Sequence, residues 1–175
     1  MSRAFVKEPD GETAGDDQPE LPLSPHPNFV TQAGFAALEA RRQALVAERR
    51  TLEAGRDNLA SVSHLGQVER ELRYVVARLG SAIVVPAAGQ PADEVAFGAR
   101  VTLEDEDGQR SDYAIVGEDE ADPAAGKVSW VSPLARAMMG GRLGDLVTWE
   151  RPAGELELEI TAIRYGKLSP NLDTE

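Results

Sequence analysis

Apolar residues recur along this chain with two different periods. From Thr31 to Leu79 the spacing is helical: Leu38, Leu45, Leu52 and Leu59 return every seven residues and mark one helical stripe. No proline interrupts Gln32 to Arg56, and alanine, leucine, glutamate and arginine dominate there, so a first helix is predicted over that stretch. Thr31 is its expected N-cap, the hydroxyl oxygen accepting from an early unpaired backbone N–H. The companion heptad seam is poor, because Phe35 is followed by Arg42, Arg49 and Arg56. A second segment, Leu65, Val68, Leu72, Val75 and Leu79, has the 3–4–3–4 spacing of a coiled-coil face. Gly55, Asp57, Asn58 and Ser61 lie between the two and favour a turn near 57–62. An antiparallel hairpin follows, with a first arm of about 38 Å and a second of about 25 Å at 1.5 Å per residue.

After residue 80 the period shortens. Ile83–Val85, Val95–Leu103, Tyr113–Val116, Lys127–Val131, Leu146–Trp149 and Leu156–Ile160 read as strands. In the last of them Leu156, Leu158 and Ile160 alternate with Glu155, Glu157 and Glu159, so one face is core and the other solvated carboxylate. Asp107–Gly108 and Pro152–Gly154 mark tight turns. Ser132 as N-cap, Pro133 at the first position and Gly140 past the end frame one short helix. The fold class is therefore α+β, a helical hairpin (29–80) followed by a small antiparallel β domain with one short helix (81–168). Short tails flank these at 1–28 and 169–175.

Composition narrows the chemistry. The 175 residues include no cysteine and two histidines, which removes disulfides, thiolate catalysis and cysteine-based metal sites. Lys and Arg number 18 against 30 Asp and Glu, a net charge of −12 that opposes broad binding to a phosphate backbone. Residues 1–30 hold 2 basic and 6 acidic side chains, residues 31–80 hold 8 and 6, and the remainder 8 and 18. A slightly basic middle thus lies between acidic flanks. The leader, rich in proline and without period, predicts disorder, with Leu21–Pro22–Leu23 as an alternative docking motif. No apolar run suits a membrane span or a signal peptide, so a cytoplasmic protein is expected. Nothing suggests self-association, and a monomer is expected.

Several motifs stand in an order that resembles the bacterial transcript-cleavage factors of the GreA/GreB type. They are Thr31, Gly34 and Leu38, then Val-Ala-Phe-Gly-Ala-Arg-Val (95–101), Tyr-Ala-Ile-Val-Gly (113–117), Val-Ser-Pro-Leu-Ala-Arg-Ala (131–137) and Gly-Asp-Leu-Val (144–147). The resemblance spans about residues 29–166. It implies an FKBP-like C-terminal domain that docks on RNA polymerase at the rim of the secondary channel, with the hairpin inserted. By the same resemblance the docking residues are Ser132, Pro133, Leu134 and Arg136. In the family two acidic residues at the hairpin tip, in a Gly-Asp-x-x-Glu-Asn motif, help hold a second Mg²⁺ of the polymerase for transcript hydrolysis.

The tip of this chain departs from that motif. Asp57 is its only carboxylate between Glu53 and Glu69, and Arg56 stands beside it. A hard divalent cation draws on several oxygen ligands, so Asp57 is a turn residue first and a weak catalytic candidate second. The hairpin is also shorter than in the cleavage factors. The organisation resembles a hybrid of those factors with the Rnk-type protein and the inhibitory Gre homologue. The expected function is a non-enzymatic regulator that binds RNA polymerase without strong cleavage stimulation and carries no cofactor of its own. Cleavage through Asp57 is the first alternative. Proline isomerisation on the FKBP-like fold is the second, disfavoured because Phe97, Tyr113, Trp130, Trp149 and Tyr165 look scattered. Two readings stand for the acidic run Glu118–Asp122, a partner contact or a solvated loop, and two for Arg41, Arg42, Arg49 and Arg50, facing acidic channel walls or covering the leucine stripe.

Overall fold

The computed structural model describes residues 19–55 and 59–166. Two compact units share them, one of residues 19–23 with 40–77, the other of 24–39 with 78–166.

The chain enters its first helix from a two-residue strand, β1 (Phe29–Val30), and α1 runs over Gln32–Ala54. Thr31 caps it as expected, its Oγ1 accepting from the Gly34 N–H at 2.9 Å. The second helix, α2 (Leu59–Ser81), is as long as the first, 23 residues or about 34 Å each. It starts one and a half turns before the apolar repeat does, so Ser61 is helical where a turn was expected. Its weak propensity is overridden by the packing that begins at Leu65. In the unit of residues 40–77, Leu45, Leu65, Val68 and Val75 are buried. At about 1.5–3 kcal/mol per buried aliphatic side chain, this seam is what holds the two arms together. Leu38 is buried in the other unit, and the side chain of Leu59 lies outside the description.

Beyond α2, Ile83–Val84 is a strand, β2, but it does not join the large sheet. It pairs in parallel with β1, Phe29 against Ile83 and Val30 against Val84.

The β unit is a five-stranded sheet in the order β5-β4-β3-β7-β6. Its strands are β3 (Arg100–Glu104), β4 (Arg110–Val116), β5 (Lys127–Ser129), β6 (Leu146–Arg151) and β7 (Gly154–Arg164). Val95 and Phe97, expected in the first of these, precede it in irregular chain, though both are buried. All neighbours are antiparallel except β4 and β5, so the sheet is mixed at that edge. The register of β3 against β7 shifts between Thr102 and Leu103, a bulge that bends the long last strand. Leu158 and Ile160 of β7 join Val101, Leu103, Ile115 and Met138 in the core, as their alternation predicts. Tyr165, just past β7, ties its end down: its hydroxyl donates to the Glu94 carbonyl at 2.6 Å and accepts from the Ala96 N–H at 2.7 Å. Burial pushes that hydroxyl above its ordinary pKa, the Glu94 carboxylate adds to the rise, and the Ala96 N–H opposes it.

Candidate functional site

The short helix expected at residues 132–140 is α3 (Pro133–Met138). Ser132 caps it, accepting from Ala135 N–H at 3.2 Å, and Gly140 follows the C-cap Met139 with φ of +80°. Its two faces differ completely. Leu134, Ala135 and Met138 are buried in the sheet core, whereas Pro133, Arg136 and Met139 are exposed. Leu134, at 3% exposure, is therefore a core residue and is removed from the expected docking set. A position adjacent to Pro133 turns about 100° around so short a helix, which carries it to the inner face. Pro133, Arg136 and Met139, three apart, share the outer one, and Ser132 holds the backbone that presents them.

The acidic run has a structural role that composition did not reveal. Glu118–Glu120 forms a 3₁₀ turn, and its carboxylates are used inside the unit. Glu120 takes the Thr31 N–H at 2.8 Å, the Gly117 N–H at 3.2 Å and the Thr31 hydroxyl. Asp119 accepts from Nε of Arg78 at 2.5 Å, and Glu118 stands 3.7 Å from the same guanidinium. The Arg78 side chain is only 3% exposed. Asn28, also buried, donates to the Arg78 carbonyl at 2.7 Å and to the Ser81 hydroxyl at 3.1 Å. The start of α1 and the end of α2 are thus both locked to the loop after β4. Gly34 makes the lock fit: a Cβ there would overlap the Glu120 carboxylate. A glycine three residues after a helix cap, where alanine is favoured, was the one sequence signal of this close approach.

Of the four arginines expected to line the first arm, Arg41 and Arg49 face acidic partners within the protein. Arg41 makes a two-pronged contact with Glu71, both bonds at 2.8 Å, and Arg49 lies 3.7 Å from Glu53. His64, given no role from sequence, pairs with Glu48 at 3.1 Å. Such exposed pairs contribute about 0–1 kcal/mol each. The leader is not uniformly without structure, since Glu20 pairs with Arg73 at 2.8 Å and Asn28 is buried. Asp57 lies outside the described residues. Among the described residues no three His, Asp or Glu side chains gather in a metal-holding cluster.

The aromatics are grouped rather than scattered. Phe29 packs against Phe97 at 5.9 Å and Trp130 at 5.1 Å between ring centres, and His26 closes on Trp130 at 6.0 Å. Tyr113 and Trp149 form a second pair. The first group is filled by the chain's own Phe29.

Comparison with known proteins bears on the whole arrangement. Residues 90–165 match the family described as transcription elongation factor, GreA/GreB, C-terminal. The chain is 36% identical over 156 residues to transcription elongation factor GreB of Neisseria meningitidis serogroup B, covering 81% of this chain and 96% of that protein. It is 35% identical over 167 residues to transcription elongation factor GreA of Ralstonia nicotianae, covering 94% and 99%. Identity reaches 42% over 132 residues with GreA of Alkalilimnicola ehrlichii, covering 74% and 80%. A solved structure, GreA factor homolog 1 (Gfh1) of Thermus thermophilus, overlaps 79% of this chain and 99% of that one at 24% identity, with a TM-score of 0.39.

Proposed function

The chain belongs to the GreA/GreB family of transcription elongation factors, and we propose on that premise that it binds RNA polymerase at the rim of the secondary channel without strongly stimulating transcript cleavage. The outer face of α3, Pro133 and Arg136 with the backbone fixed by Ser132, is the docking surface. It is exposed, rigidly capped and backed by core residues, so docking requires little ordering of the protein side. The hairpin is the part that reaches inward.

The observation that carries the reading on cleavage is the count of carboxylates at the turn. Between Glu53 and Glu69 the sequence offers Asp57 alone, with Arg56 adjacent. One carboxylate beside a guanidinium does not fit a second catalytic Mg²⁺, which takes oxygen ligands from several groups. The chain then acts as a regulator with no active site of its own, in the cytoplasm and as a monomer.

A transcript-cleavage assay on backtracked complexes tests this directly. The expected result is stable association with core polymerase and no shortening of the transcript beyond the polymerase's own rate. Mg²⁺-dependent shortening that disappears with Asp57→Ala would reverse the assignment. Pull-down with core polymerase should be lost with Pro133→Asp or Arg136→Glu, and retention with both would show that α3 is not the docking face.

A further inference from the structure

The large sheet of the β unit ends on one side in β6, and among the described residues no strand pairs with the outer edge of β6. The Ile160 N–H donates to the Asp145 carbonyl at 2.9 Å. By the alternation of an antiparallel ladder, Val147, Trp149 and Arg151 therefore turn their backbone groups toward β7, and Leu146, Thr148 and Glu150 turn theirs outward. Native sheets blunt such edges with bulges, prolines or very short strands. β6 uses none of these: its six residues run in unbroken register against β7, and Pro152 comes only after its end. Leu146 stands on this edge 69% exposed.

The two ends of the edge carry opposite charge. Arg151 holds its guanidinium carbon 5.4 Å from the centre of the Trp149 ring, and its Nε is shut off from solvent with no hydrogen-bond partner among the described residues. Enclosed donors of that kind are rare in native folds. Just before the strand, Asp145 is exposed, its carboxylate accepting from the Arg142 N–H at 2.8 Å. Asp145, Val147, Trp149 and Arg151 share one parity and hence one face.

We propose that two copies of this chain join edge to edge through β6, antiparallel about a two-fold axis at Thr148. The ladder fixes the register, because outward backbone groups must meet outward ones. Leu146 then pairs with Glu150 of the second copy, and Thr148 with its own equivalent. A shift of two residues one way would ask Pro152 for an N–H it lacks. The opposite shift would ask for the Gly144 N–H, already given to the Ile160 carbonyl at 2.8 Å. Between the bonded pairs, where Cα atoms approach to about 4.5 Å, Val147 meets Trp149 and Arg151 meets Asp145 of the second copy. Aromatic with β-branched, threonine with threonine and opposite charges are the pairings that stabilise antiparallel strands. The symmetry makes each unlike pair occur twice. Pairing is bimolecular, so dilute chain stays single, the form assigned above to the polymerase.

Sedimentation velocity on the full chain tests this. The average mass is expected to climb toward that of two chains as concentration rises. It should stay at one chain with Thr148→Pro, which removes an outward N–H that the single chain leaves unused. Arg151→Glu should weaken association by about tenfold, since two cross-strand pairs turn from attractive to repulsive. The chain has no cysteine, so Thr148→Cys places one thiol on the axis and should oxidise to a covalent pair. Leu146→Cys and Glu150→Cys should cross-link only when mixed with each other. A single mass at every concentration overturns the proposal, as does association that survives Thr148→Pro or equal cross-linking of all three cysteines. Loss of polymerase pull-down with Thr148→Pro, in a chain that never self-associates, overturns it too, because the edge then receives a strand of the polymerase. The mass and cross-linking readouts contain no RNA polymerase, so they stand or fall apart from the docking assignment.

Discussion

Replacing Arg78 by methionine removes a guanidinium but keeps a stem of similar length. Asp119, whose side chain is 15% exposed, would lose the contact with Nε at 2.5 Å, and Glu118 the charge at 3.7 Å. Removing one member of a buried pair costs about 3–5 kcal/mol, because the remaining charge keeps its desolvation penalty without the attraction that offset it. For a domain stable by about 5–15 kcal/mol this is a large fraction. At about 3–5 °C per kcal/mol for a unit of this size, the melting temperature should drop by about 9–25 °C. Scanning calorimetry on Arg78→Met, Asp119→Leu and the double variant measures it. The double variant, with two apolar side chains in place of two charges, should recover most of the loss. A drop under about 3 °C in Arg78→Met, or a double variant that loses the sum of the two single losses, would refute the coupling.

Other expectations follow from the same contacts. Gly34→Ala should destabilise by about 1–2 kcal/mol in chemical denaturation, because the overlap with Glu120 outweighs a helix-propensity gain of about 1 kcal/mol; a more stable variant would contradict the lock. Leu45→Ala, at a fully buried position, should cost about 2–5 kcal/mol, read from loss of helical circular dichroism. Tyr165→Phe should cost about 1–3 kcal/mol at neutral pH by breaking the link between Glu94 and Ala96. Since the fold raises the hydroxyl's pKa, its contribution is complete below about pH 10 and fades as pH climbs through the folded value. The gap between wild type and Tyr165→Phe should therefore narrow in alkaline denaturation curves, and a gap that widens there would exclude this account.

How far sequence reasoning reached depended on the range of the interactions. The alternation of Leu156, Leu158 and Ile160, the Ser132–Pro133 helix start and the Thr31 cap are local, and each appears as expected. What escaped is long-range or too short to have a period. β1 is two residues long, so no alternation marks it, and although Ile83–Val85 reads as a strand, nothing in the apolar pattern shows that β2 pairs with β1. The parallel direction of β5 against β4 leaves no trace in the apolar pattern. The Arg78–Asp119 and Thr31–Glu120 contacts join residues 41 and 89 apart, and in one dimension the acidic run is indistinguishable from a solvated loop. Of the residues that the family resemblance offered for docking, Ser132 and Pro133 also announce a helix start, but only the helix's orientation on the sheet shows that Leu134 faces inward.

The parallel pair Phe29–Val30 and Ile83–Val84 sets the two ends of the intervening segment side by side, about 5 Å apart. Everything between 31 and 82 leaves and returns through one doorway. Extra turns added in equal number to the outgoing and returning helices would leave that strand pair unchanged, so helix length is a trait that descent or engineering can alter without rebuilding the strands that frame it.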